Sequence, residues 1–471
     1  MRHNTRWLFV FLIQNVAQPH EDTKYLHEVL EQMLALGDHP DMEIILCLGT
    51  TTLSQTLLDN LDGSLDRTRA LHGCIIRLRH RATGGKRFEL LKELPSSRAD
   101  FIQPANIAHI FRFIKSRYAY KQVVLSTWDH GTGFAIFEPS GEQPASPTPA
   151  HRRRKRLSVV VSDTDVLRRN HKLFKPNELQ KAHARLGARV FLKKFRSRLK
   201  DLSWLTPPKG LTMDGLNRAI KHSFGKVDIL FMRNCWMQIF DTGYTLHQTV
   251  KYLVATEGLM YFRAYDYDIW LNDVAKMKGR VDLAKVAEAA IKGFTGRRTV
   301  ASITTDTAMF GNDLSYYPRL NSCINALSRM LIKKMDQHKE EILKCRRRIF
   351  TLVYRDFHEA KFQLIDAGLW FERVGALFQD DHSFQDELRK FRVLYAKTVG
   401  GRSFRGKSIG FGNYGASGFS LYFPFSVEQM AEDRSFYELY YALHTRFKSQ
   451  FTKASQWDEF IAALFLADPA L

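Results

Sequence analysis

A histidine and a cysteine, each just past an apolar run, are the residues of this chain best placed to do chemistry together. His130 lies in Trp128-Asp129-His130-Gly131-Thr132-Gly133-Phe134, after Gln122-Val123-Val124-Leu125-Ser126-Thr127. Cys235 lies in Arg233-Asn234-Cys235-Trp236, after Val227-Asp228-Ile229-Leu230-Phe231-Met232. A free thiol titrates near about 8.5, so little of it is thiolate at neutral pH. A neighbouring imidazole can take the thiol proton during attack on a carbonyl and return it to the leaving amine. Backbone N–H groups of Gly131 and Cys235 are the candidates for an oxyanion hole, glycine letting the main chain come close to the substrate. The residue types imply a cysteine hydrolase.

That chemistry requires two neighbouring strands that end at one edge. Apolar runs of this kind read as buried parallel strands, and an open α/β sheet binds ligands outside the carboxyl ends of its strands. Strand-like runs recur at Trp7–Ile13, Met42–Leu48, Cys74–Leu78, Gln122–Thr127, Val227–Met232 and Tyr252–Ala255. Helical patterns at Asp22–Leu36 and Pro104–Arg117 separate several of them, and Leu211–Ile220 reads as a capped helix feeding the cysteine strand. The alternation predicts an α/β fold, a mostly parallel sheet with helices on both faces. A long basic helix is expected at Ala326–Val353, and no internal repeat is visible.

The chain of 471 residues is 45% hydrophobic and 25% charged, ordinary for a globular protein, and has room for two or three domains. Its five cysteines are scattered and odd in number, which implies neither a disulfide framework nor zinc. The N-terminal apolar stretch is short and lacks a cleavage site, so it reads as a first strand rather than a signal peptide. No run approaches the roughly 18 apolar residues of a membrane span. A cytoplasmic location is expected.

The net charge of +21 is concentrated: residues 151–200 hold 17 Lys and Arg against three acids, a net +14. A Pro/Ser-rich stretch from Glu138 leads into it, so 138–205 reads as an insertion. The basic segment is a solvated arm, or else it binds an anionic partner such as nucleic acid, an acidic protein or a membrane surface.

These residues resemble the clostripain family of cysteine peptidases, whose pattern is an apolar strand ending in Asp-His-Gly-Ser/Thr-Gly and a second ending in Asp-Ala-Cys-Leu-Met. Tyr252-Leu253-Val254-Ala255-Thr256-Glu257, Ala264-Tyr265-Asp266-Tyr267, Trp270-Leu271 and the late Gly418-Phe419-Ser420-Leu421-Tyr422-Phe423-Pro424 are similar to further family segments. The resemblance implies a caspase-like three-layer sandwich, Cys235 as nucleophile and His130 as general acid and base. It implies a catalytic domain over 1–290 containing the insertion, followed by a mixed, helix-rich α+β region over 291–471.

The departures concern specificity. Family members that cleave after Arg or Lys line the pocket with acids, where this chain has Arg233 and Arg263. An unpaired or like-charge burial costs roughly 2–5 kcal/mol, and a guanidinium fork suits a carboxylate. The expectation is cleavage after Asp or Glu, unless Arg233 and Arg263 instead pair with Asp266 or Asp268. Asp129 either orients a ring or caps the strand end. The family's self-processing site falls between the His and Cys strands, which makes Asp163 and Asp165 candidate self-cleavage sites. No cofactor is required, and calcium is possible although no EF-hand-like loop is present. The alternative is a peptidase fold that has lost turnover and binds nucleic acid or a protein through its basic insertion.

Overall fold

The computed structural model describes residues 3–14, 19–37, 39–51, 55–63, 65, 72–83, 85–131, 133–137, 210–258, 260, 265–279, 281–294, 307–347, 364–399, 407–409, 417–423 and 449–466. The strands in chain order are β1 His3–Ile13, β2 Met42–Thr51, β3 Leu61–Asp62, β4 His72–Thr83, β5 Lys86–Leu94, β6 Tyr118–Trp128 and β7 Ala135–Ile136. They continue with β8 Leu211–Thr212, β9 Val227–Arg233, β10 Val250–Thr256, β11 Thr307–Asp313, β12 Leu364–Asp366, β13 Lys407–Ile409 and β14 Ser420–Tyr422.

Ten of them form one sheet, in the order β13-β11-β10-β9-β6-β1-β2-β4-β5-β3. The five central strands, β10, β9, β6, β1 and β2, are mutually parallel. Antiparallel pairs flank them through β11 on one side and β4 on the other. The six apolar runs read from sequence are all strands of this sheet. Burial explains why they are apolar throughout rather than alternating: β1 is covered on both faces, with Trp7 through Ile13 all at 2% exposure or less.

On one face Trp7, Phe9, Phe11 and Ile13 pack with Leu26, Leu30 and Met33 of helix Pro19–Leu34, Trp270 and Leu271 of Tyr267–Ala275, and Ala287 and Ile291 of Leu283–Phe294. The opposite face takes Leu8, Val10 and Leu12, by the two-residue period of a strand. Helix Pro104–Arg117 also buries Ile107, Ile110, Phe111 and Ile114. Helix Met213–Lys221 begins where Thr212 accepts a cap hydrogen bond from the Gly215 N–H at 3.2 Å. The fold is the expected α/β sandwich around a mostly parallel sheet.

Two compact units divide the described residues. The first comprises residues up to 137, then 210–317 and 396–419. The second comprises 318–395 and 420–466, with the small antiparallel sheet β12–β14. Its rings Trp370, Phe423, Trp457 and Phe460 cluster, and Arg346 donates from Nε and Nη2 to the Phe423 carbonyl at 3.1 and 2.7 Å. The single helix expected at Ala326–Val353 is instead Tyr317–Lys333 followed by Met335–Arg347, and its remainder lies outside the described residues. The polar run Asp336–Glu341 offers no apolar residue to hold one straight helix, and His338 departs from helical geometry at φ −127°.

Candidate active site

The parallel register between β6 and β9 builds the site. It runs Val124↔Ile229, Ser126↔Phe231, Trp128↔Arg233. His130 and Cys235 each stand two residues beyond the last pair, at equivalent positions on adjacent strand ends. Beyond Arg233 the chain does not splay away, because Trp236 takes φ 57° and donates its N–H to the Gly258 carbonyl at 2.9 Å. A left-handed tryptophan stores local strain, which surrounding structure must hold. Here it lies directly after the nucleophile candidate.

Cys235 is partly buried against the core cluster that holds Trp128 and Tyr267. Its Sγ accepts from the Met260 N–H at 3.3 Å and donates to the Met260 carbonyl at 3.7 Å. Burial pushes the thiol up to about 11, the Asp129 carboxylate adds to the rise, and the Met260 N–H opposes it. Asp129 Oδ1 accepts from the His130 N–H at 2.7 Å, a bond that fixes the main chain at the strand end.

Gly131 lies against the backbone of Cys235. A Cβ built on it would sit 2.6 Å from the Cys235 carbonyl oxygen, 2.9 Å from the Cys235 nitrogen and 2.8 Å from Asn234 Cβ. Only glycine allows this approach, which brings together the two backbones named as oxyanion donors. Asn234, fully buried, spans the strand ends: its Oδ1 accepts from Thr127 Oγ1 at 2.6 Å, and its Nδ2 donates to the carbonyls of Asp129 and His130 at 2.9 and 3.1 Å. Thr127 and Met260 have no part in the expectations from sequence, where Asn234 figures only as a departure flanking Cys235. A buried polar residue at the end of each apolar strand was the available signal, since such groups find partners.

Arg233 is 2% exposed, its guanidinium carbon 4.6 Å from the Trp128 ring centroid and 5.3 Å from that of Tyr267. Arg263, Asp163, Asp165 and the basic segment 151–200 lie outside the described residues. Among the described residues no group of three or more His, Cys, Asp or Glu could hold a metal ion, and no helix is long and apolar enough to cross a membrane.

Comparison with known proteins bears on the family and the fold. The model of the clostripain family matches residues 207–463, more than half of the chain. The structure of the secreted C11 cysteine protease "iotapain" from Bacteroides thetaiotaomicron is similar in fold, with a TM-score of 0.57 at 11% identity, over 96% of this chain and 99% of that one. A secreted C11 cysteine protease from the same organism, in complex with an irreversible peptide inhibitor, gives 0.54 at 12% identity over 96% and 99%. An inactive zymogen C11 protease from Parabacteroides distasonis gives 0.52 at 11% identity over 88% and 92%. No curated protein matches the chain in sequence.

Proposed function

Because the chain belongs to the clostripain family and is a cysteine endopeptidase, we propose that Cys235 is its nucleophile and His130 its general acid and base. The observation that carries this reading is the β6–β9 register, which ends at Trp128↔Arg233 and leaves both residues at one sheet edge. With the thiol pushed up to about 11, only about one molecule in ten thousand holds thiolate at neutral pH. The proton must therefore pass to His130 as sulfur bonds to the substrate carbonyl carbon. The imidazolium then protonates the leaving amine as the C–N bond breaks. Water, deprotonated by His130, releases the acid from the thioester. The Gly131 and Cys235 N–H groups receive the oxyanion. No step calls for a cofactor; calcium stays possible, and turnover lost on chelation and restored by added calcium would show that it is needed.

Specificity follows from Arg233, a buried cation between two aromatic rings two residues before the nucleophile. An Arg or Lys side chain brought beside it meets a like charge, a penalty of roughly 2–5 kcal/mol and so about two orders of magnitude or more in rate. A carboxylate gains a guanidinium partner. The reading is cleavage after Asp or Glu, with Arg263 as a second cation and Asp163 or Asp165 as self-cleavage sites. A fold relative described as an inactive zymogen supports activation by processing. The test is a peptide library varied only before the cut, with Cys235→Ala beside wild type. Cleavage after Asp or Glu that vanishes in the variant is expected, whereas cleavage after Arg or Lys would sink the acidic specificity but keep the enzyme. Intact mass after incubation reads self-processing, and identical masses for the two proteins would exclude it.

A further inference from the structure

We propose that Asn234 is a positioning residue that, anchored by Thr127, locks the His130 end of β6 to the backbone of Cys235. The inference rests on the Cys235/His130 reading above. The backbone ladder between β6 and β9 stops at Trp128↔Arg233, just short of both residues. The Asn234 side chain takes over where the ladder ends, and both hydrogens of its amide are used across the gap, on the Asp129 carbonyl at 2.9 Å and the His130 carbonyl at 3.1 Å.

Its oxygen is fixed in turn by the Thr127 hydroxyl at 2.6 Å, which sets the orientation of the amide. His130 is consequently held from both sides of its own residue. Asp129 Oδ1 accepts its N–H at 2.7 Å, while its carbonyl accepts from Asn234 and from the Phe137 N–H at 3.3 Å. Because Asn234 immediately precedes Cys235, the reference point for His130 is the nucleophile's own main chain. The site is fully buried at Asn234 and Thr127, so water does not compete for these bonds. An alanine at 234, as in the clostripain-like Asp-Ala-Cys pattern, has no amide to make them.

The experiment is the rate of Cys235 alkylation by iodoacetamide from acid to alkaline pH, read by peptide mass mapping. It compares wild type with His130→Ala, Asn234→Ala, Thr127→Val and Thr127→Ser. Wild type should show a His130-dependent limb below the alkaline rise, absent in His130→Ala. In Asn234→Ala and Thr127→Val that limb should shrink or shift, with the neutral-pH rate down about tenfold, since small misplacements of reacting groups cost up to about 10²-fold. Thr127→Ser should restore the limb, because it keeps the hydroxyl. Should Asn234→Ala fail to fold, Thr127→Val, nearly isosteric, carries the same reading. A lowered unfolding midpoint with an unchanged pH profile in both variants would overturn the positioning role while leaving the dyad standing. Absence of any His130-dependent limb in wild type would instead remove the dyad and the lock together.

Discussion

Trp128 and Arg233 are register partners across β6 and β9, and the Arg233 guanidinium carbon lies 4.6 Å from the Trp128 ring centroid. The pairing ties a cation to the same strand ends that deliver His130 and Cys235. The Tyr267 ring centroid lies 5.3 Å from the same carbon, so two aromatic rings hold the cation by cation–π attraction.

Arg233→Ala should lower kcat/KM for peptides with Asp or Glu before the cut by about 100-fold, the loss of one desolvated charge pair. Arg233→Lys should recover little of it, because an ammonium has neither the fork nor the stacking plane. Rates on peptide pairs differing only in that residue measure this. Equal losses on neutral and acidic peptides would show that Arg233 merely supports the fold.

Gly131→Ala would bring a methyl group within 2.6–2.9 Å of Cys235 backbone atoms. The strand ends must separate to admit it. A fall in kcat/KM of about 100-fold is expected, with folding retained by circular dichroism. Wild-type turnover would mean that the close approach has no bearing on the reaction.

In His130→Ala the Cys235 thiol loses its proposed base but keeps the burial that, in the intact protein, raises it to about 11. A raised thiol pKa shrinks the thiolate fraction at every pH below it. Alkylation should therefore keep climbing about tenfold per pH unit past the 8.5 or so at which an exposed thiol levels off. A plateau near that ordinary value would contradict the burial.

Asn312 Nδ2 donates to Tyr317 Oη at 3.0 Å and to the Gly418 carbonyl at 3.2 Å, all within the first unit. Asn312→Ala leaves buried groups without those partners, at a cost of about 2 kcal/mol. A lower urea midpoint reads it. An unmoved midpoint would show that the network contributes nothing net.

The central strands were legible because burial on both faces writes itself as continuous apolar runs, as in Leu8 through Ile13. β5 was not: Lys86-Arg87-Phe88-Glu89-Leu90-Leu91-Lys92-Glu93-Leu94 is half-exposed, and its charges hide the strand. The dyad candidates were legible as motifs, and the Gly131 approach could be anticipated from glycine beside histidine. The Asn234 lock and the Met260 contact to Cys235 were not, since each depends on which atoms meet across a register that no local pattern encodes. The break in Ala326–Val353 is not legible in sequence, because helical propensity persists through a polar run that lacks apolar residues for packing.

β13 pairs with β11 through Ile409↔Thr307, and Gly418 gives its N–H to buried Glu257 at 3.2 Å. The unit that carries His130 and Cys235 therefore contains residues made long after Cys235 itself. On the ribosome, strands emerge in chain order and domains tend to fold as they appear. This unit cannot be finished that way: a nascent chain already displaying Cys235 still lacks the segment that packs Phe419 against Phe240 and Tyr317. Completion of this unit thereby waits on residues 407–419, and a chain cut short before them carries Cys235 without the β11–β13 pairing and the Phe419 packing.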